Sequence, residues 1–272
     1  MRTVVVGASS GLGRCIGVGL AQRGAQVAML ARRKERLEQA AAEAGDAAIA
    51  IACDVTDPAS CTSAIEAAVD GLGGIDSLVY CPAISPLARL IDTDAQTWAR
   101  VFETNVTGAA LITAAAVPHL PAMKGTVVYL SSVAGSHTVP WPGLGAYAVS
   151  KAALERLVDA WRTEHPELGF TRVVIGECAG GEGDARTEMI NDWDLDLAAE
   201  LTPIWLAGNY FSGQMIEIEE LVDVLDIVLR RGVSLRIPSV VVTSNPTVPG
   251  GELNEMVAEA MAGLEDGKAP LA

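Results

Sequence analysis

Short apolar runs alternate along this chain with longer segments of helical pattern. Seven runs of four or five residues are mostly apolar throughout and are bounded by turn residues, which is typical of strands buried on both faces. They are Thr3–Val6, Gln26–Leu30, Ala48–Ala52, Ser77–Tyr80, Thr126–Leu130, Arg172–Ile175 and Ser239–Thr243. Between them we predict helices at Leu12–Arg23, Lys34–Glu43, Pro58–Gly71, Trp98–His119, Tyr147–His165 and Glu219–Arg230. This alternation predicts an α/β fold, a doubly wound parallel sheet with helices on both faces.

Two stretches depart from the alternation. The segment from residue 180 to residue 214 is rich in aromatic side chains, namely Trp193, Trp205, Tyr210 and Phe211. We predict that residues 190–214 form a lid over an apolar, bulky substrate; a packing or oligomer surface is the alternative. The C-terminal tail, residues 250–272, contains one predicted helix, Glu252–Leu264. Because no linker, repeat or low-complexity tract is visible, we predict a single domain over residues 1–272.

Composition narrows the functional classes. The 272 residues carry a formal net charge of −15, which disfavours nucleic acid and anionic membranes as partners. Five scattered cysteines without a Cys-x-x-Cys pair, and an N-terminus that reads as a strand, predict a cytoplasmic protein. No apolar run approaches the ~18 residues of a membrane span. The three histidines lie far apart, so no metal site is expected.

A glycine-rich turn follows the first predicted strand and precedes the first helix. It reads Gly7-Ala8-Ser9-Ser10-Gly11-Leu12-Gly13. Glycines permit a tight turn that brings backbone N–H groups close to a ligand, and the N-terminus of the following helix favours a phosphate. The position of the turn between strand and helix therefore predicts a dinucleotide site.

Tyr147 and Lys151 lie four residues apart on a predicted helix, so their side chains share one face. A cation about 4 Å from a phenolate stabilises it by roughly 4 kcal/mol at an effective dielectric of about 20. Lys151 would thereby move the pKa of Tyr147 from its usual range near ~10 toward neutrality. The pair therefore has the composition of a general acid or base.

These motifs together resemble the short-chain dehydrogenase/reductase family in its compact single-domain form. The resemblance runs from about Thr3 to Thr243 and includes Cys53-Asp54-Val55-Thr56-Asp57, Asn105-Val106-Thr107-Gly108, Ser131-Ser132-Val133-Ala134-Gly135 and Tyr147-Ala148-Val149-Ser150-Lys151. The resemblance implies a Rossmann-type fold with a seven-stranded sheet, a nicotinamide cofactor and hydride transfer between an alcohol and a carbonyl. It also implies a homodimer or homotetramer.

Four residues correspond to the catalytic group of that family: Asn105, Ser132, Tyr147 and Lys151. Tyr147 would protonate the substrate oxygen, and Ser132 would hydrogen-bond it. Lys151 would stabilise the phenolate and hold the nicotinamide ribose, while Asn105, placed by a distortion of its helix, would hold a water. We prefer Ser132 to Ser131 because Val133-Ala134-Gly135 follows it and because alternation points the two side chains in opposite directions.

The cofactor-binding residues follow from the turn and from the ends of the next strands. The resemblance assigns Gly7, Ser9, Ser10, Gly11, Leu12 and Gly13 to the phosphates and Asp54 with the Val55 backbone to the adenine, and it places Tyr147 and Lys151 at the ribose. After the second strand stand Arg32, Arg33 and Lys34, where an NAD site would carry a carboxylate. Guanidinium groups suit a 2′-phosphate, so we predict NADP(H) over NAD(H), with Arg14 as a further candidate.

The sequence departs from the family pattern in two loops. Tyr80-Cys81-Pro82-Ala83 replaces Asn-Asn-Ala-Gly, and the stretch from Cys178 to Gly183 replaces Pro-Gly. Thr187 still resembles the Thr of a Thr-x-Met motif and is a candidate for the nicotinamide carboxamide.

Three functions are compatible with these residues. The first is an NADP(H)-dependent reductase or dehydrogenase acting on a small-molecule carbonyl or alcohol, with an NAD-dependent alcohol dehydrogenase as its variant. The second is a non-catalytic dinucleotide-binding regulator. The third, a sugar-nucleotide epimerase or dehydratase, needs a larger C-terminal substrate domain than about 90 residues provide.

Overall fold

The computed structural model describes residues 1–178, 180–181, 183, 186–208, 210 and 214–245. The predicted helix Glu252–Leu264, the rest of the tail and Phe211 lie outside the described residues. All seven predicted strands are present and form one parallel sheet. They are β1 (Arg2–Val6), β2 (Gln26–Ala31), β3 (Ala48–Ala52), β4 (Ser77–Tyr80), β5 (Thr126–Ser132), β6 (Gly169–Ile175) and β7 (Ser239–Val242).

The strand order is β3-β2-β1-β4-β5-β6-β7. The order reverses between β1 and β4, which pair in parallel with Thr3 opposite Ser77 and Val6 opposite Tyr80. In open α/β sheets, ligands bind in the crevice beyond the carboxyl ends of the strands at such a point. The topology therefore places the glycine turn after β1 and the Cys81–Ala83 loop after β4 on opposite sides of one crevice.

Helices cover both faces of the sheet, as the alternation predicts. They are α1 (Gly11–Gln22), α2 (Lys34–Ala44), α3 (Pro58–Leu72), α4 (Ala95–Phe102), α5 (Gly108–Ala116), α6 (Val133–Ser136), α7 (Gly145–Glu164), α8 (Leu195–Ala207) and α9 (Ile218–Leu229). Residues of α1, α2 and α9 form a core on one face, including Leu20, Leu37 and Leu225. Residues of α3, α5 and α7 form the core on the other face.

The helix predicted over Trp98–His119 is longer and is internally distorted. A π-helical turn, Glu103–Thr107, separates α4 from α5 and contains Asn105. By length and composition the continuous stretch Ala95–His119 is long and apolar enough to cross a membrane. It contains Arg100 and Glu103, which is why no uninterrupted apolar run is visible in the sequence. Its residues Ala109 and Ile112 pack in the core beside α3.

Candidate active site

A cleft of 380 Å³ lies at the carboxyl ends of the central strands. Apart from Arg14, the residues predicted to bind cofactor line it. These residues are Gly7, Ser9, Ser10, Gly11, Leu12, Gly13, Arg32, Arg33, Asp54, Val55, Tyr147, Lys151 and Thr187. Ile84, Pro86, Met189 and Asp192 line the same cleft. The fold thus brings together residues from the connections after β1, β2, β3, β4 and β6 and from α7, which the sequence could associate only by motif.

The glycine turn has the geometry that a bound phosphate requires. Gly7 and Gly11 have φ angles of 81° and 55°, in the left-handed region that favours glycine. A Cβ at Gly13 would overlap the carbonyl oxygen of Gly7, so only glycine permits this close approach of α1 to the end of β1. The first residues of α1 therefore present their N–H groups to the cleft, and the turn fits a dinucleotide pyrophosphate.

Arg33 spans the edge of this turn. Its guanidinium donates to Ser9 Oγ (3.0 Å) and to Ser10 Oγ (2.7 Å). It also forms an ion pair with Glu188, whose other carboxylate oxygen pairs with Arg36. Arg32 is exposed at the rim of the cleft and makes no ion pair with the described residues. Two guanidinium groups thus border the position that follows β2, and an internal carboxylate already engages one of them.

Arg14 does not reach the phosphate turn. It is buried in α1, and its guanidinium donates to Glu43 of α2 at 2.9 Å. Its Nη1 atom has no hydrogen-bond partner within the described part of the chain. The hydrogen bond to Glu43 directs the Arg14 guanidinium toward α2, and Arg14 is not among the residues that line the cleft.

Asp54 follows β3 and forms a local turn with Thr56. Its Oδ1 atom accepts the Thr56 N–H (3.0 Å) and the Thr56 hydroxyl (2.8 Å). The backbone hydrogen bond from Thr56 is the main reason that the pKa of Asp54 lies below its usual value. Asp57 caps α3 by accepting the Ala59 N–H at 2.9 Å, as expected for a residue before Pro58. Asp54 retains its other carboxylate oxygen beside the cleft.

Lys151 is almost completely buried beneath the cleft, with 3% of its surface exposed. Its ammonium donates to the Leu130 carbonyl at 2.7 Å and lies 5.6 Å from the centre of the Tyr147 ring. Burial lowers the pKa of Lys151 to about 8, although the electrostatic effects of Cys81 and Glu155 act in the opposite direction. The ammonium can therefore lose its proton near physiological pH.

Tyr147 differs from the expectation of a lowered pKa. Burial raises the pKa of its phenol above the usual value, and a hydrogen bond with Ser132 partly opposes that effect. The ammonium of Lys151 is directed to the Leu130 carbonyl, and it is itself disfavoured by burial. In this geometry burial therefore favours the neutral phenol of Tyr147 over the phenolate.

The two serines at the end of β5 make different contacts. Ser131 is buried and donates to Glu155 Oε1 at 2.9 Å. Ser132 caps the short helix α6 by accepting the Ala134 N–H at 3.2 Å. Its hydroxyl also hydrogen-bonds the Tyr147 phenol. Of the two serines it is Ser131 that lines the cleft.

Asn105 is fully buried and connects three segments from its π-helical turn. Its Oδ1 atom accepts the Ile84 N–H (2.9 Å), and its Nδ2 atom donates to the Ile84 carbonyl (3.0 Å) and to Ser150 Oγ (2.9 Å). Both amide hydrogens are thus used within the protein. Asn105 fixes the loop after β4 against α7, and one lone pair on Oδ1 remains for a water.

The aromatic residues of the predicted lid form a small core of their own. The Trp205 ring lies 5.6 Å from Trp141 and 5.9 Å from Trp193, between ring centres. The indole of Trp193 donates to the Ser85 carbonyl at 2.7 Å, and that of Trp205 donates to the Pro142 carbonyl at 2.9 Å. Of the described residues in the predicted lid, Asp192 lines the cleft and the tryptophans do not. The described aromatic side chains of this segment thus pack against one another and against Trp141, which accounts for their presence.

The two unusual loops keep close contact with the glycine turn. A Cβ at Gly7 would lie 3.1 Å from the Pro82 ring, and a Cβ at Gly11 would lie 3.3 Å from Thr187 Cα. Thr187 accepts the Met189 N–H at 3.4 Å. Thr187 therefore faces the phosphate turn from the far side of the cleft. Among the described residues, no group of three His, Cys, Asp or Glu side chains is placed to hold a metal ion.

Two carboxylates at the site, Glu155 and Glu188, are not predicted from the sequence. Glu155 lies four residues after Lys151, so the helical spacing that relates Tyr147 to Lys151 could have identified it. Glu188 is 155 residues from Arg33, and no local pattern links them.

The sequence matches the short chain dehydrogenase family over residues 2–195. It is 30% identical over 232 residues to a glycine betaine reductase of Emericella nidulans, covering 84% of this chain and 17% of that protein. It is 30% identical over 212 residues to an 11-beta-hydroxysteroid dehydrogenase A of Sesamum indicum, covering 74% of this chain and 60% of that protein. The chain thus spans less than two thirds of the length of each of these relatives.

Solved structures agree in fold. An alcohol dehydrogenase from Thermococcus sibiricus, complexed with 5-hydroxy-NADP, has a TM-score of 0.73 at 20% identity, covering 91% of this chain and 97% of its own. A 3-ketoacyl-(acyl-carrier-protein) reductase from Brucella melitensis, complexed with NADH, has a TM-score of 0.73 at 21% identity, covering 90% of this chain and 98% of its own. Structural neighbours of this fold thus bind nicotinamide dinucleotides of both kinds. The family match and the seven-stranded parallel sheet together show that the chain belongs to the short-chain dehydrogenase/reductase family.

Proposed function

We propose that the protein interconverts a carbonyl and a secondary alcohol on an apolar substrate, with NADP(H) as cofactor and Tyr147 as general acid and base. The observation that carries the proposal is that Tyr147 and Lys151 of α7 line the cleft that also contains the glycine turn, with Ser132 at the end of β5 hydrogen-bonded to Tyr147. Ile84, Pro86 and Met189 give the adjoining part of the cleft an apolar wall.

Each side chain has a distinct part in the proposed reaction. Tyr147 gives its phenolic proton to the carbonyl oxygen in reduction and takes it back in oxidation. Ser132 donates to the same oxygen as negative charge develops there. Lys151 stabilises the resulting phenolate and holds the ribose. A bound nicotinamide supplies the hydride in reduction and accepts it in oxidation.

The substrate class is inferred from the cleft and from one relative. The sesame relative is named for 11-beta-hydroxysteroids, which are bulky, largely apolar alcohols. The glycine betaine of the other relative's name is a small zwitterion, and an apolar wall suits it poorly. A large ketone is therefore the better first substrate to test.

The Tyr147→Phe variant tests the chemistry. We expect turnover of the better carbonyl in a panel of an 11-ketosteroid and acetophenone to fall by at least ~100-fold, because the proton donor is lost. NADPH consumption measured by absorbance gives the rate, and calorimetric titration with NADPH should show cofactor affinity close to that of the unmodified protein. Normal turnover in this variant would overturn the mechanism.

Cofactor preference rests on the guanidinium groups after β2. We expect kcat/KM to be higher with NADPH than with NADH, and the Arg33→Ala variant to lose about tenfold or more with NADPH but little with NADH. Lys34→Ala is the matched control, because Lys34 is a neighbouring cation that pairs with Glu38 at 3.8 Å. An equal or NADH-favouring ratio in the unmodified protein would contradict the NADP(H) assignment.

A non-catalytic regulator on the same fold predicts a different result. Such a protein would bind NADPH tightly and reduce no member of the carbonyl panel. It would also have no requirement for the convergence of Tyr147, Ser132 and Lys151. The same titrations and rate measurements therefore separate the two functions.

A further inference from the structure

A buried carboxylate lies directly behind the proposed catalytic pair. Glu155 is on α7, one turn beyond Lys151, and only 6% of its surface is exposed. Tyr147, Lys151 and Glu155 thus occupy three successive positions along one helical face. Burial of a carboxylate is unfavourable unless it is hydrogen-bonded and paired, so its contacts indicate what it does here.

Glu155 holds the segments on both sides of Ser132. Its Oε1 atom accepts the hydroxyl of Ser131, the last residue before Ser132, at 2.9 Å. Its Oε2 atom accepts the hydroxyl of Ser136, at the end of α6, at 2.7 Å. Ser132 is therefore fixed between two hydrogen bonds to a single side chain, one from β5 and one from α6.

The contact between α6 and α7 at this point is close. A Cβ at Gly135 would lie 3.2 Å from Glu155 Oε1, from the Ala152 nitrogen and from the Lys151 carbonyl carbon. Glycine thus allows α6 to lie against the turn of α7 that joins Lys151 to Glu155. A movement of Glu155 would consequently move the segment that carries Ser132.

Charged groups surround this carboxylate on each neighbouring element. Arg172 of β6 places Nη1 3.7 Å from Glu155 Oε2 and 3.6 Å from Asp159 Oδ2. His137 meets Ser136 Oγ at 3.0 Å through Nδ1. Lys151 lies on the opposite side, where Tyr147 of α7 and Cys81 after β4 also face it. Glu155 is therefore the carboxylate that accepts hydrogen bonds from Ser131 and Ser136 and that also acts electrostatically on Lys151.

We propose that Glu155 is a positioning residue, which fixes Ser132 through Ser131 and Ser136 and supplies the negative charge that favours the ammonium form of Lys151. The proposal rests on the proposed function for the meaning of Ser132 and Lys151, and it extends that function to a residue that does not touch substrate. The two roles are separable, because hydrogen bonding depends on shape and the effect on Lys151 depends on charge.

Three variants separate position from charge. Glu155→Ala removes both the hydrogen bonds to the serines and the negative charge. We expect kcat to fall by about tenfold or more, with a smaller change in KM for NADPH, because the segments on both sides of Ser132 are no longer held. Glu155→Gln keeps two polar atoms that can bond the two hydroxyls, so at pH 6.5 it should recover most of kcat. Asp159→Asn is the matched control, since Asp159 also faces Arg172 but contacts neither serine, and it should behave as the unmodified protein.

The charge is measured on Lys151 without any substrate. The chain has four lysines, so selective ¹³C labelling gives four side-chain signals, and Lys151→Met identifies one of them. In Glu155→Gln the titration midpoint of Lys151 should fall by roughly one pH unit, and the alkaline limb of kcat/KM should move with it. Asp159→Asn should leave this midpoint in place.

The positioning role, the role of charge and the proposed function are each contradicted by a different result. Unchanged kcat in folded Glu155→Ala would refute the positioning role, and so would a Gln variant as impaired as the Ala variant. An unmoved Lys151 midpoint in Glu155→Gln would refute the role of charge. Normal turnover in Tyr147→Phe would instead refute the proposed function, and the Lys151 titration would still report on Glu155.

Discussion

The ammonium group of Lys151 is almost completely buried, so its ionisation lowers the stability of the folded chain. Its pKa in the folded chain is lowered to about 8 from 10.5, so the unfolded chain binds this proton more tightly. Below pH 8 the charged form costs about 3 kcal/mol of stability, because each pKa unit is worth ~1.4 kcal/mol. As pH rises from about 8 toward 10.5 the cost disappears, since the lysine is then neutral in both states.

This linkage predicts a pH-dependent effect of removing the charge. Lys151→Met should be more stable than the unmodified chain at pH 7, and its advantage should shrink by about 2 kcal/mol by pH 9.5. Urea unfolding of both proteins at several pH values measures the difference. The control is Lys34→Met, whose side chain is 76% exposed and remains solvated on folding. A stability difference for Lys151→Met that is constant with pH would contradict the buried charge.

At the scale of single residues, sequence reasoning succeeded where the relevant partner lies on the same element. The spacing of Tyr147 and Lys151 is a local property of one helix, and the structure places both at the cleft. The surroundings of the Tyr147 and Lys151 side chains, by contrast, depend on residues that are distant in the sequence. The Leu130 carbonyl that receives the Lys151 ammonium, and the burial that raises the pKa of Tyr147, arise only when β5 and α7 pack together.

At the scale of elements, the strands were the most predictable part. They are buried on both faces, so their apolar runs are continuous and their ends fall at polar or glycine residues. The prediction for β5 ended at Leu130, whereas the strand continues to Ser132. Pairing of Ser131 with Val174 and of Ser132 with Ile175 extends it, and a neighbouring strand cannot be read from the local pattern.

The shapes of two helical segments depend on tertiary contacts; the distortion at Asn105 is expected from the family resemblance, but its cause is not visible in the local pattern. The π-helical turn at Glu103–Thr107 coincides with the bonds from Asn105 to Ile84, which is 21 residues away. Helix α8 contains Pro203 and carries apolar residues that pack against Trp141 and Leu144, so its sequence was interpreted as a lid. In both cases the determining partner belongs to another connection.

At the scale of the whole molecule, Glu188 links the two halves of the sheet. It follows β6, whereas its partners Arg33 and Arg36 lie after β2 and on α2. The proposed 2′-phosphate of NADP(H) needs the same Arg33 guanidinium. An internal carboxylate and a cofactor phosphate would thus compete for one cation, and cofactor binding would release the connection after β6 from the first half of the molecule.

The competition predicts that neutralising Glu188 favours one cofactor over the other. Glu188→Gln keeps the size of the side chain but removes its charge, so NADPH should bind about fivefold more tightly, corresponding to roughly 1 kcal/mol for a partly exposed ion pair. NADH, which has no 2′-phosphate, should change much less. Calorimetric titration measures both affinities, and Glu38→Gln is the control, because it removes a carboxylate of α2 that pairs with Lys34 instead. Equal gains in affinity for the two cofactors would show that Glu188 acts on the part of the dinucleotide that both share, and not on the 2′-phosphate. An unchanged affinity for NADPH would show that Arg33 does not contact the 2′-phosphate.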